Sequence, residues 1–151
     1  EGWQTTLDRA DALAAKAILV KTPGAVTPGE ANRRLLSRFF ETFAGRTDRA
    51  VIWEPSGLWT IKQTREFADD LGVIPTYDPF LSHREGLEFT HGDAAFAITE
   101  RAAMRRQFDL FDFKQLLGWT RKYDRLFVMC RGRHKFTHAE LLGTAVEHAE
   151  R

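Results

Sequence analysis

A single cysteine, Cys130, stands in a chain of 151 residues. One thiol excludes an internal disulfide and a thiolate metal cluster, and it suits a reducing cytosol. An excess of one charge is missing too: 22 Lys and Arg against 21 Asp and Glu leave a formal net charge of +1. The overall basic surplus that advertises nucleic-acid binding is therefore absent, and any such role would need a local patch. No run reaches the roughly 18 apolar residues of a membrane span. The opening EGWQTTLDRA has neither the basic nor the apolar stretch of a secretory leader. Together these absences lead us to expect a cytoplasmic protein without a membrane partner. The first residue is Glu and not Met, which reads as a fragment or a processed product.

What is present is an ordinary globular composition, 43% hydrophobic and 28% charged, enough for one substantial core. One domain over residues 1–151 is the expectation. Five short apolar runs each end on an ionisable residue: AILV into Lys21, AVIW into Glu54, VIPTY into Asp78, AFAIT into Glu100 and LFVMC into Arg131. Runs this short, β-branched and apolar on both faces read as strands of a covered parallel sheet. Parallel strands would bring the five charged ends to one rim, where open α/β sheets and (β/α) barrels keep their sites.

Helix starts are marked by a side-chain oxygen three residues before a carboxylate or amide, the reciprocal capping arrangement. The pairs are Thr5 with Asp8, Thr27 with Glu30, Thr60 with Gln63, Asp112 with Gln115, and Thr137 with Glu140. Pro28 takes the favoured first helical position. Apolar periodicity supports the helices through Leu35, Leu36, Phe39, Phe40 and Phe43, through Ile61, Thr64, Ala68 and Leu71, and through Leu142, Ala145, Val146 and Ala149. The resulting order is α-β-α-β-α-β-loop-β-α-β-α. Strand ends at 21, 54, 78, 100 and 131 are 33, 24, 22 and 31 residues apart, near the roughly 31 per unit of a barrel in which about 250 residues make eight βα units. PFLSHREGLEFTHG has no helical period and reads as an irregular crossover. RAAMRRQFDLF after Glu100 reads as a second long connection.

The candidate chemistry lies at the strand ends. Glu54 and Asp78 close adjacent predicted strands about 4.8 Å apart, a spacing at which two carboxylates share a proton or split into acid and base. The alternative is structural: the pair is held by helix N-terminal donors or by Lys21. Trp53 and Trp59 flank the same turn. Trp53 reads as core and Trp59 as a candidate apolar wall for a ligand. Arg131, Gly132, Arg133, His134 and Lys135 form the densest basic run, directly before the last helix. Barrels often bind phosphate at that address, although the run lacks a Gly-rich x-G-x-G cradle and basic loops are commonly just solvated.

Arg101, Arg105 and Arg106, together with the RGRHK run at 131–135 and Phe108, suggest a nucleic-acid track, against which the balanced charge argues. His83 and His91, with Asp78, Glu85, Glu88 and Asp93, superficially resemble a metal set, but their spacing matches no zinc signature, and no metal is expected. His134 and His138 give no better set, because a helix capped at Thr137 leaves His134 outside it. Cys130 reads as packing. The sequence leaves any cofactor unknown.

The segments TPGAVTPGEANRRLLSRFF, AVIWEPSGLWT and LGVIPTYDPF, in this order, resemble the YecE-like family (domain of unknown function 72). There, a Gln-Thr-Pro or Gln-Leu-Pro strand end precedes a phenylalanine-rich helix, W-E-P-R-G-x-W follows, and a later strand ends in D-P-F. The resemblance covers nearly the whole chain. It implies an eight-stranded TIM barrel of which this chain supplies the last five strands. Glu54, Trp59 and Asp78 match the family pattern. Lys21 stands in place of its Gln and Ser56 in place of its Arg; Ala97 and Thr99 replace the Arg and His of Y-x-R-x-H-G, and MCRGRHK replaces F-N-N.

The expected fold is thus α/β, a sequential parallel sheet of five βα units with helices on one side, part of a TIM-type barrel. Two functions fit it. In the first, a rim site uses Glu54 and Asp78 for proton handling or hydrogen bonding, while Lys21, Arg131 and Arg133 hold the anionic part of a small molecule. In the second, the chain is a non-catalytic binding or assembly module. Five strands cannot close a barrel, so the strands at residues 17–22 and 125–130 should have unpaired edges. The isolated chain should then be marginally stable, or associate with an N-terminal half-barrel or with itself. Hydrogen exchange checks this: a monodisperse monomer with protected amides in both edge strands would refute it.

Overall fold

In a computed structural model, residues 2–84, 92–99 and 107–149 are those the structure describes, and they alternate between helix and strand. Contacts divide the chain into two compact units, Glu1–Thr76 and Tyr77–Arg151. Both are α/β, with parallel strands joined through helices.

The first unit holds helices α1 (Gly2–Ala12), α2 (Glu30–Phe43) and α3 (Ile61–Leu71), strands β1 (Ala17–Lys21) and β2 (Ala50–Glu54), and most of β3 (Ile74–Tyr77). β1 pairs with β2 in parallel from Ala17↔Ala50 to Lys21↔Glu54. β2 pairs with β3 through Ile52↔Ile74 and Trp53↔Pro75. Every residue of β2 is buried, which is why AVIW shows no polar alternation. Its Trp53, 0% exposed, meets Phe40 of α2 at 6.1 Å, Phe67 of α3 at 5.7 Å and Trp59 at 4.9 Å, all edge-on, the geometry aromatic quadrupoles favour.

Two helix starts in this unit differ from the capping pattern. α1 begins at Gly2 and not at Thr5, because Trp3 packs against Phe39 and Phe43 of α2 and so draws the first turn into the fold. α2 begins at Glu30, after Pro28, with Gly29 at the cap position and no side-chain cap. The Thr27 hydroxyl accepts from Asn32 Nδ2 at 3.2 Å instead. At α3 the expected capping box forms: Gln63 N donates to Thr60 Oγ1 and Thr60 N to Gln63 Oε1.

The second unit holds α4 (Pro79–Arg84), β4 (Gly92–Thr99), α5 (Leu110–Trp119), β5 (Tyr123–Arg131) and α6 (Lys135–Ala149). β4 and β5 are parallel from Gly92↔Tyr123 to Thr99↔Arg131, with a register shift at Gly92/Asp93. Their core gathers Phe80, Phe96, Ile98, Phe113, Leu116 and Ala145.

Three expectations are corrected here. The start of the stretch read as an irregular crossover is the helix α4, seated by buried Phe80, which stacks on Phe108 at 4.7 Å. α5 is capped one turn earlier than expected, by Asp109 in a reciprocal box with Asp112. α6 starts at Lys135, so Thr137 lies inside it; buried His138 sits against Phe108 and Phe113, and its N–H bonds to the His134 carbonyl at 2.9 Å. No helix among the described residues is long and apolar enough to cross a membrane.

Two features make the fold testable. In the first unit, the loop after β1 and the loop after β2 touch at Gly24 and Gly57: a Cβ on Gly57, whose φ is +89°, would stand 2.5 Å from the Gly24 carbonyl oxygen. Gly57→Ala should therefore lower the unfolding free energy by roughly 1–3 kcal/mol, read in urea as a lower midpoint with unchanged slope. An unchanged midpoint would mean that the two loops part without cost.

In the second unit, Arg125 donates to Asp93 through Nε at 3.0 Å and Nη2 at 2.5 Å. These hydrogen bonds hold the Asp93 carboxyl below the usual carboxylate range. A carboxyl depressed on folding contributes stability above its unfolded pKa and loses it as pH falls through the folded one. Asp93→Asn should therefore weaken the protein at neutral pH. Thermal melts of the two proteins should converge as pH drops below the ordinary Asp value of about 4; a pH-independent difference would contradict this.

Candidate functional site

The strand-end groups fall into two sets, one in each unit. In the first, parallel register sets Lys21 beside Glu54, and Lys21 Nζ lies 3.3 Å from Glu54 Oε1. Glu54 is only 8% exposed, whereas the Lys21 side chain is 61% exposed, so the ammonium faces solvent and the carboxylate faces inward. Thr22, buried just past β1, joins the two strands: its N–H donates to the Glu54 carbonyl at 3.0 Å, and its hydroxyl accepts from Trp53 Nε1 at 3.3 Å. A pair of this kind can present an ammonium to an anion and carboxylate oxygens to a hydroxyl.

Trp59, the candidate ligand wall, is fixed by contacts within the unit. Its Nε1 donates to the Val26 carbonyl at 2.6 Å, and its ring stacks on Phe67 at 5.5 Å. The Arg33 guanidinium lies 5.2 Å from the Trp59 ring and 5.1 Å from that of Phe67, within cation–π range. Arg33 is itself fixed by donating from Nε to the Pro28 carbonyl at 2.8 Å. The indole thus ties the loop after β1 to α3.

In the second unit, Asp78 precedes α4 and its Oδ1 accepts from the N–H groups of Phe80 at 3.0 Å and Leu81 at 3.2 Å. Its carbonyl accepts from Ser82 N and Oγ. These bonds orient the carboxylate toward the start of the short helix. Glu54 belongs to one unit and Asp78 to the other, and each carboxylate is engaged within its own.

The basic run lies at the end of β5. Arg131 closes the strand, paired in register with Thr99, and its Nη2 lies 3.9 Å from Met129 Sδ. Gly132, at φ +95°, turns the chain where a side chain would be strained. Arg133 is exposed. His134 is positioned by Gln107, whose Nε2 is 3.0 Å from its Nε2, and Lys135 opens α6 with its ammonium 5.1 Å from the Phe136 ring. The first turn of α6 carries no acidic residue. Cationic side chains beside the positive end of a helix dipole form an environment that favours an anion.

Other candidates resolve differently. Glu100, Arg101, Arg105 and Arg106, with Glu85, Glu88, His91 and the His83 side chain, lie outside the described residues. Asp93 takes Arg125 as its partner. Among the described residues no group of three His, Cys, Asp or Glu is arranged to hold a metal ion. Burial pushes the Cys130 thiol up, which keeps it protonated, the state of a packing thiol and not of a nucleophile.

Sequence reasoning passed over Thr22, Arg33 and Gln107. Thr22 carried a readable signal, a hydroxyl directly after a strand in a chain whose next strand holds a buried Trp. Arg33 and Gln107 carried none, because their roles depend on ring and imidazole positions set by tertiary packing. Comparison with protein-family models, with curated proteins and with solved structures finds no match to this chain.

Proposed function

We propose that this is a small-molecule-binding α/β protein of the YecE-like kind, working in the cytoplasm, whose ligand is anionic and is held by Arg131 and Arg133 at the N-terminal turn of α6. One observation carries the reading: the stretch Arg131–Lys135 brings three permanent cations to a helix start that has no acidic residue. The helix end contributes on the order of 0.3–1 kcal/mol toward a bound charge, and charge-assisted hydrogen bonds from arginine add roughly 1.5–3 kcal/mol each. Lys21 is the corresponding cation of the first unit, but its ammonium already lies on Glu54. The anion is assigned to the second unit because its helix start combines several cations with the absence of an acidic residue.

Binding without catalysis is the favoured form of this reading. Glu54 is engaged by Lys21 and Asp78 by the backbone of α4, which supports structural roles for the two carboxylates. The enzymatic form would give them proton-handling roles.

Calorimetric titration with inorganic phosphate and with citrate separates these outcomes. The unmodified protein should bind at least one of the two, and Arg131→Ala combined with Arg133→Ala should weaken that binding by about tenfold or more. Equal affinity in the double variant would sink the assignment. Glu54→Gln and Asp78→Asn should keep binding while lowering stability. Lost binding at full stability would move the site to the carboxylates.

A further inference from the structure

We propose that the cleft between α5, α6 and the start of β5, at the opposite end of β5 from Arg131, is a separate binding site for an organic carboxylate with an apolar body. The cleft has a volume of about 810 Å³, and its lining includes Lys114, Leu117 and Gly118 of α5, Leu126 of β5, and Ala145 and His148 of α6. Sites for small organic ligands commonly have volumes of roughly 300–1,000 Å³. β5 runs nine residues from Tyr123 to Arg131, so its two ends lie roughly 25 Å apart. The cleft is therefore distinct from the basic run at the start of α6.

The sequence explains why space is left here. In α5, Lys114 is followed by Leu117 and Gly118 three and four residues on, and in α6 Ala145 is followed by His148 and Ala149 at the same intervals. Each set occupies one face of its helix, and small side chains on both faces keep the helices from filling the gap. Gly118 is not among the glycines with positive φ, and a Cβ on it would meet nothing within 4 Å. Neither backbone conformation nor packing within the chain requires a glycine at that point. Leu117, Leu126 and Ala145 supply the apolar part of the lining.

The charged part of the lining selects the head group. Lys114 and Arg121 both line the cleft, and among the described residues neither has an ion-pair or hydrogen-bond partner, unlike Lys21, Arg49 and Arg125, which lie on acids. The acid in the cleft, Asp124, adjoins Arg125 in the chain, and its field acts on that guanidinium. Helix C-termini favour cations, but Thr120 takes up the end of α5: its N–H donates to the Leu116 and Leu117 carbonyls, and its hydroxyl to that of Leu117 at 3.2 Å. The two side-chain cations then set the sign. An inorganic anion would gain nothing from Leu117, Leu126 and Ala145, whereas a carboxylate on an apolar body uses both parts of the lining.

Nuclear magnetic resonance titration of the full chain with phenylacetate, phenethyl alcohol and phenethylamine tests the proposal, since these share a phenyl ring on a two-carbon arm and differ in the head group. Phenylacetate should bind with a Kd of about 1 mM or below and about tenfold or more tighter than the amine, shifting the amides of Leu117, Leu126 and Ala145. Lys114→Gln combined with Arg121→Gln should weaken phenylacetate about tenfold and leave the alcohol nearly unaffected. Gly118→Leu should weaken both by a similar factor and melt no lower, since leucine is the better helix former. Circular dichroism should show both variants folded. Absence of saturable shifts with phenylacetate would overturn the proposal, as would a preference for the amine or full affinity in either variant. Shifts confined to residues 131–135 would place the ligand at the other end of β5 and overturn it equally.

Discussion

A buried indole governs the first unit. Trp53 has no exposed surface, and its ring is the common neighbour of Phe40, Trp59 and Phe67, so α2, α3 and the loop between β2 and α3 all take their positions from it. An indole N–H in such a place needs an acceptor. The Thr22 hydroxyl provides it, which fixes the chain just past β1. Lys21 then lies beside Glu54 by register. The polar rim of this unit is thus a consequence of how its core satisfies one donor.

Magnitudes explain where the helices begin. Fully burying a large apolar side chain contributes about 1.5–3 kcal/mol, a side-chain cap typically about 1 kcal/mol, and an exposed ion pair roughly 0–1 kcal/mol. Where burial and capping disagree, burial wins. Trp3 extends α1 ahead of Thr5 because two phenylalanines await it. Phe80 turns Pro79–Arg84 into a helix because Phe108 and Trp119 await it, and Asp78 then serves the new helix end. At Thr60 no such conflict exists, and the sequence pattern and the observed cap coincide.

The same ranking accounts for what was legible in the sequence. Strand ends were, because each of these apolar runs gives way to a charged residue at its end: β1, β2 and β5 finish at Lys21, Glu54 and Arg131. The alternation of helix and strand was legible for the same reason. Helix starts were only partly so, since a Thr or Asp three residues before a carboxylate marks a possible cap and says nothing of which aromatic ring will seat the first turn. Of the candidate site, the positions of the charges were readable, but their partners were not. The contacts of Trp59 were hidden because neither the Val26 carbonyl nor Arg33 is near it in sequence.

Strand-end charge is therefore weaker evidence of chemistry than it first looks. A parallel strand that ends before a helix delivers its last side chain to that helix's backbone donors, and a carboxylate there has structural work available, as Asp78 shows. Neighbouring parallel strands of opposite terminal charge have an equally simple use for each other, as Lys21 and Glu54 show. Cations in the same place meet the opposite field, because a helix N-terminus repels them. Arg131, Arg133 and Lys135 at the start of α6 stand against that electrostatic preference, and a bound anion is what would reverse its sign.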